Sequence, residues 1–316
     1  MLNPMIPTAD LASFLQNDFE KEVTLINGSP FQSYGFDLQS FFRILVNQRW
    51  NARKLRFASR DDDRTSEELF DAMIAPSGRF TLDRIKAARA AKMTTVVNGI
   101  GHLHGGLREM LAGMNCEAYY QTGANAYYTP ANSSGFAPHW DMHDVFFLQV
   151  HGTKQWLVSE NADAALPLPS KEYGSPKGTQ FSSPTKTVTL EEGQVLYIPR
   201  GHLHAGESAT QDSLHVTVRL TPITPADILT RLAKELPSIY NDLRVSVRSL
   251  GPDQVSQADA MRELFVELLS GADLGETLAQ ARREIEAVDR ENLGETFGND
   301  IADLLGEEQQ KSELLD

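Results

Sequence analysis

A single cysteine, Cys116, stands in 316 residues, so an intrachain disulfide framework and a multi-cysteine zinc site are both excluded. No apolar run approaches the roughly 18–20 residues that a membrane-spanning helix requires. The opening MLNPMIPTADLASF has neither a basic start nor a continuous apolar segment, so no signal peptide is expected. Basic residues are also in short supply. Lys and Arg number 29 against 43 Asp and Glu, a net charge of −14, which argues against sequence-independent binding to nucleic acid. These absences leave a cytoplasmic enzyme or binding protein with no nucleic-acid or membrane partner. With 41% hydrophobic residues the chain can bury a substantial core.

The negative charge is unevenly spread. Residues 222–316 carry 20 acidic and 9 basic side chains, which accounts for −11 of the −14. Such a surface suits a basic protein or peptide as partner, although a solvated helical face gives the same count.

The texture of the chain changes twice. Residues 1–93 read mainly as helices and loops: Thr8 can cap a helix carrying Leu11, Phe14, Leu15 and Phe19, and Asp37 a second carrying Phe41, Phe42, Leu45 and Val46. A helix is also expected over 81–93. Residues 94–221 carry short β-rich runs (TTVVNGI, EAYYQTG, NAYYTP, DVFFLQV, KQWLVSE, KTVTL, QVLYIP and SLHVTVRL) divided by Gly, Pro, Asn and Ser, with one helical interruption at 101–114. That spacing favours an antiparallel barrel or jelly roll over alternating βαβ units. Residues 222–316 return to helix, with apolar stripes at Ile228, Leu229, Leu232 and Leu236 and at Met261, Leu264, Phe265, Leu268 and Leu269. Such stripes mark core packing or a homodimer interface. The terminal EEQQKSELLD is expected to fray.

Chemistry concentrates in two stretches, Pro138-His139-Trp140-Asp141 and Pro199-Arg200-Gly201-His202-Leu203-His204. On an extended strand residues i and i+2 share a face, so His139 and Asp141 can both point into a barrel. A second histidine from a distant strand then completes two imidazoles and one carboxylate on one face of a metal, the arrangement of non-haem Fe(II) oxygenases. An isolated His-x-Asp is weak by itself. Its position before DVFFLQV strengthens it, as does Lys154 on the strand after the His151-Gly152 turn. There the ammonium could reach the distal carboxylate of 2-oxoglutarate.

The segment Asn125-Ala-Tyr127 through His139-Trp-Asp141, with Gly152-Thr-Lys154-Gln-Trp156, Ile198 to His204 and the His215-Val-Thr-Val run, resembles the cupin-type JmjC ribosomal oxygenases. The resemblance covers roughly 94–221. It implies a mainly β, double-stranded β-helix (jelly-roll) core with N-terminal helices and a C-terminal helical region. It implies an Fe(II)- and 2-oxoglutarate-dependent hydroxylase of protein side chains, with a ribosomal protein among the expected targets. By resemblance His139, Asp141 and His204 ligate iron, Lys154 binds 2-oxoglutarate, and Asn125 and Tyr127 line the site near the substrate. The family also favours dimerisation through helices after the barrel. Arg219 departs from the family pattern, standing where a small polar residue is expected.

Two other functions remain in play: a tailoring hydroxylase of a small biosynthetic peptide, and a non-catalytic metal-binding cupin. His202 rivals His204 as distal ligand. His143 and His215 are expected to pack or to support ligands from behind, while His102, His104 and His151 read as helix or turn residues. Phe147 and Trp156 read as barrel core, and Cys116 as a small buried residue.

Overall fold

The computed structural model describes residues 2–59, 64–74, 77–115, 120–133, 135–164, 166–167, 178–208 and 210–272, with 275–277, 279, 280 and 283 beyond them. Cys116 and the terminal EEQQKSELLD lie outside the described residues.

The N-terminal region contains α1 (Leu11–Asn17), β1 (Thr24–Ile26), α2 (Leu38–Asn47), β2 (Leu55–Ala58), α3 (Ser66–Met73) and α4 (Leu82–Ala90). Then follow β3 (Thr94–Asn98), α5 (Ile100–Leu103), α6 (Gly105–Asn115), β4 (Tyr120–Thr129), β5 (Asp144–His151), β6 (Lys154–Ser159), β7 (Thr185–Leu190), β8 (Val195–Ile198), β9 (His204–Ser208) and β10 (Ser213–Pro222). A seven-stranded sheet runs in the order β1-β8-β5-β10-β4-β3-β2, and a three-stranded sheet in the order β7-β6-β9. This is the jelly-roll expected from the strand spacing. β1 to β5, β8 and β10 belong to the larger sheet and β6, β7 and β9 to the smaller, so the chain passes between the sheets only from β5 onward. Neighbours β1-β8, β8-β5, β5-β10, β4-β3, β3-β2, β7-β6 and β6-β9 pair antiparallel.

β5 shows why the layers form. Successive side chains of a strand point to opposite faces. Phe146 and Leu148 enter a core shared with Phe14, Phe41 and Tyr197, while Val145 and Phe147 pack against Trp156, Val158 and Leu196 between the sheets. A strand buried on both faces is apolar along its centre, which is why Val145 to Leu148 lack the usual alternation, while the buried Asp144 and Gln149 are hydrogen-bonded.

Several expectations need correction. Thr8 caps nothing: α1 begins at Leu11 with Asp10 at the cap position, no side chain satisfies its first N–H groups, and Leu15 is exposed. Asp37 does cap α2, accepting from the Ser40 N–H at 2.7 Å. The N-terminal region, expected to hold helices and loops, also supplies two strands. β1 and β2 are three and four residues long and are fixed by pairing with β8 and β3, a tertiary cause with no local pattern. The helical interruption at 101–114 is two helices, α5 and α6, divided at His104. The two runs EAYYQTG and NAYYTP contribute to one strand, β4.

Contacts divide the chain at Thr221/Pro222. The second unit holds α7 (Pro225–Ile239) and α8 (Gln254–Gly271). Thr224 and Asp227 form a capping box at the start of α7, with Pro225 in the first turn, where its missing N–H costs nothing. Ile228 and Leu232 are buried on α7, but Leu229 is 53% exposed, so the expected four-residue face narrows. On α8 Leu268 is buried while Phe265, Val266 and Leu269 are exposed. Among the described residues no helix is long and apolar enough to cross a membrane.

Candidate metal centre

His139 lies outside any named strand, in the connection between β4 and β5, and forms an isolated antiparallel bridge with His204 at the start of β9. Asp141 follows two residues later and is held by the Gly201 N–H, which donates to its carbonyl at 2.9 Å. The regular strand expected around His139 and Asp141 is therefore only a single bridge, yet it brings the two stretches together. Candidate ligand atoms of His139, Asp141 and His204 all lie within 4.8 Å of one another. His204 Nε2 stands 3.6 Å from Asp141 Oδ2, and the two imidazole centroids are 4.5 Å apart.

Each imidazole is oriented through its other nitrogen. His139 Nδ1 lies 2.9 Å from the Ala137 carbonyl and His204 Nδ1 lies 3.0 Å from the His202 carbonyl. With Nδ1–H donating to a carbonyl, Nε2 keeps a free lone pair. Burial, helped by nearby His139, lowers the His204 pKa to about 4, so that ring is neutral near pH 7. Burial alone would raise Asp141, but His143, His204 and His139 together hold it below the ordinary carboxylate range. Two imidazoles and an ionised carboxylate on one side of a point are a donor set suited to a divalent first-row metal with open positions.

A cavity of about 310 Å³ opens over these groups. Lys154, the first residue of β6, is 4% exposed at its wall, and burial depresses its pKa to about 7. Its Nζ donates to Thr129 Oγ1 at 3.3 Å and lies 5.1 Å from the Trp156 ring centroid. Among the described residues no carboxylate partners it. An ammonium buried this way is a receptor for an anion. Asn125 Oδ1 accepts the Gly99 N–H at 2.9 Å, and its side chain also hydrogen-bonds the hydroxyl of Tyr127, which stacks on His215 at 4.9 Å.

Two turns set this register. Gly152 (φ +69°) precedes Lys154, and Gly201 (φ +82°) precedes His204. A Cβ at either would overlap a backbone carbonyl, of Asp212 and Ala164 respectively, so both turns require glycine.

His202 is buried but does not line the cavity; its carbonyl instead orients His204. His143, expected to pack behind the site, is in the cavity wall, as are His215, Phe147 and Trp156. Sequence reasoning missed Thr129, although Asn125, Tyr127 and Thr129 follow the period-2 rule on one strand. It also missed Thr94, whose hydroxyl lies 3.3 Å from that of Thr129, and Arg56 from the N-terminal region.

A jelly roll whose inner face carries two histidines and an aspartate at one end defines a cupin-type metal-binding barrel. Residues 108–228 match the family model described as the JmjC domain. The bifunctional lysine-specific demethylase and histidyl-hydroxylase NO66 of Caenorhabditis elegans is 39% identical over 130 residues, covering 40% of this chain and 17% of that protein. Its Dictyostelium discoideum counterpart is 46% identical over 97 residues, covering 30% of this chain and 19% of the relative. The matched stretch thus spans less than one fifth of either relative's length. Among solved structures, Escherichia coli YcfD shares the fold at a TM-score of 0.56 and 17% identity, covering 88% of this chain and 71% of YcfD. The structure of YcfD, a ribosomal oxygenase, in complex with cobalt and 2-oxoglutarate aligns at a TM-score of 0.54 and 17% identity over 89% of this chain and 72% of that one.

Proposed function

We propose that this protein is an Fe(II)- and 2-oxoglutarate-dependent oxygenase that hydroxylates a side chain of a protein, with ribosomal proteins among the targets. The observation that carries this reading is the convergence of His139, Asp141 and His204 beside a buried ammonium, Lys154, that has no anionic partner among the described residues. His139, Asp141 and His204 are the residues that would hold the metal. Lys154 and the Thr129 hydroxyl would take the distal carboxylate of 2-oxoglutarate. Bound iron supplies oxygen activation, so that 2-oxoglutarate, O2 and a substrate C–H become succinate, CO2 and a C–OH.

The chain's own contribution is orientation and exclusion. Phe147 and Trp156 wall the cosubstrate side and keep water away. Asn125 and Tyr127, tied together through their side chains, present a hydrogen-bonding edge to the substrate. The net charge of −14 supports a basic host protein, and the exposed Phe265, Val266 and Leu269 support a homodimer joined through α8. A cytoplasmic location accords with this reading.

The test is anaerobic titration with Mn(II) and 2-oxoglutarate, then oxygen-dependent succinate formation from the Fe(II)-loaded protein with candidate peptides. Saturable 2-oxoglutarate binding that requires metal, followed by a +16 Da peptide product, is expected. Metal binding with no 2-oxoglutarate binding overturns the reading in favour of a non-catalytic cupin. A product confined to small biosynthetic peptides keeps the chemistry and replaces the target.

A further inference from the structure

A divalent metal, ionised Asp141, dianionic 2-oxoglutarate and protonated Lys154 together carry no net charge. Two cations of the cavity wall then remain unbalanced, Arg56 and Arg219, and no second carboxylate lines the cavity among the described residues. We infer that the side chain received by this site is acidic, an Asp or Glu of a protein or peptide held at the cavity mouth by Arg56 and Arg219. The inference rests on the oxygenase reading, because that reading commits Asp141 and Lys154 to metal and cosubstrate.

Both guanidinium groups are placed by the fold. Arg56 pairs with Val96 and Val96 with Tyr127 across β2, β3 and β4, so Arg56 and Tyr127 share a sheet face. Its Nε donates to Ser66 Oγ at 3.2 Å, which steadies the arm and leaves the terminal nitrogens available. Arg219 lies against bare backbone: a Cβ on Gly123 would sit 2.9 Å from its Nε and 3.2 Å from its Cζ. Tyr127 feels Asp141, Arg56 and Arg219 electrostatically, which sets both cations around the hydroxyl nearest the proposed substrate position. Neither arginine has an acidic partner among the described residues.

A carboxylate can take two parallel N–H donors from a guanidinium, whereas a Lys or Arg side chain entering here would meet two like charges and no counter-ion. The cationic mouth is local. Most of the chain's negative charge belongs to residues 222–316, so a basic host can be attracted at long range while an acidic side chain is selected at the opening.

The experiment uses one fluorescein-labelled peptide with basic flanks and a central Asp, Glu, Asn, Gln, His, Lys or Arg. Binding to the full chain loaded with Mn(II) and 2-oxoglutarate is read anaerobically by anisotropy. The Asp or Glu peptide is expected to bind about tenfold tighter than its amide counterpart, with the difference shrinking as salt is raised. Arg219→Gln and Arg56→Gln should each erase most of that difference, and Arg219→Glu should shift preference toward the Lys or Arg peptide, which a merely structural role would not do. Tighter binding of neutral or basic peptides by the native protein, no binding of any acidic peptide at millimolar concentration, or an unchanged ranking in Arg219→Glu overturns the inference. Failure of the oxygenase reading is read separately, as absence of 2-oxoglutarate binding before any peptide is added.

Discussion

His139 and His204 hold each other in place through their backbones: the N–H of His139 donates to the His204 carbonyl at 3.1 Å, and the N–H of His204 donates to the His139 carbonyl at 2.8 Å. Residues 65 positions apart are thereby locked as neighbours before any metal binds. The ligand set is preorganised by main chain, and the two side chains need only their Nδ1 contacts to orient.

That arrangement predicts separable effects on metal binding. His139→Ala, Asp141→Ala and His204→Ala should each abolish stoichiometric Mn(II) binding by calorimetry while far-UV circular dichroism stays native. His202→Ala should keep affinity within about tenfold, because it retains the carbonyl that accepts from His204 Nδ1. Loss of metal in His202→Ala with retention in His204→Ala would reverse the assignment.

Lys154 predicts proton uptake. Its folded pKa of about 7 lies below the ordinary 10.5, so between those values the folded chain binds fewer protons than the unfolded one. Stability is therefore lost as pH falls across that window. A bound dicarboxylate raises the pKa again. At pH 8 the binding of 2-oxoglutarate should draw close to one proton from solution, read as calorimetric enthalpies that vary with buffer ionisation heat. Lys154→Met should remove that dependence and weaken 2-oxoglutarate about tenfold or more.

His215 predicts acid sensitivity. Burial, reinforced by Lys154, holds it well below its ordinary 6.5, so the folded state keeps it neutral. The unfolded state takes up a proton as pH drops below about 6.5, and stability present above that value is lost. His215→Phe, which keeps a ring against Tyr127, should flatten the fall in urea midpoint between pH 7 and pH 5. An identical pH slope in the variant would exclude His215 as its source.

Asp212 is a structural counterpart to the site. It accepts from Arg89 Nε at 2.7 Å, from the Ala131 N–H at 3.0 Å and from the Tyr128 hydroxyl, joining α4 and the end of β4 to the turn before β10. Asp212→Ala should cost roughly 2–3 kcal/mol in urea unfolding, since it removes three contacts to a charged acceptor. Metal stoichiometry should not change.

The α8 surface predicts the oligomeric state. Leu268 is buried within the chain, so the informative double substitution is Phe265→Asp with Leu269→Asp on the exposed positions. Light scattering should show a dimer in the native protein and a monomer in the variant. A monomeric native protein would remove this face as an interface.

The strand-rich middle of the chain was legible because β runs and turn glycines are local signals. DVFFLQV and QVLYIP need only their β-rich apolar content, KQWLVSE and SLHVTVRL a degree of alternation, and all four their bounding turns. The two halves of the site were legible for the same reason: His139-x-Asp141 and the Pro199–His204 turn are short motifs. Sequence also determined residue chemistry, including the single cysteine, the acidic balance and the lysine placed after Gly152.

What only the tertiary structure decided depends on pairing between distant segments. β1, β2 and β9 are short, and partners elsewhere in the chain fix them. The preference for His204 over His202 acquires a physical basis only in the fold, where the bridge to His139 brings His204 beside the other ligands and the His202 carbonyl orients its ring. Thr94 and Arg56 come to the cavity because β2 and β3 extend the sheet beside β4, a neighbourhood no linear pattern encodes. Lys154 becomes an anion receptor by the same route. Its sequence supplies an ammonium, but folding removes it from water without giving it a carboxylate among the described residues, and that desolvation is what pulls its pKa to about 7.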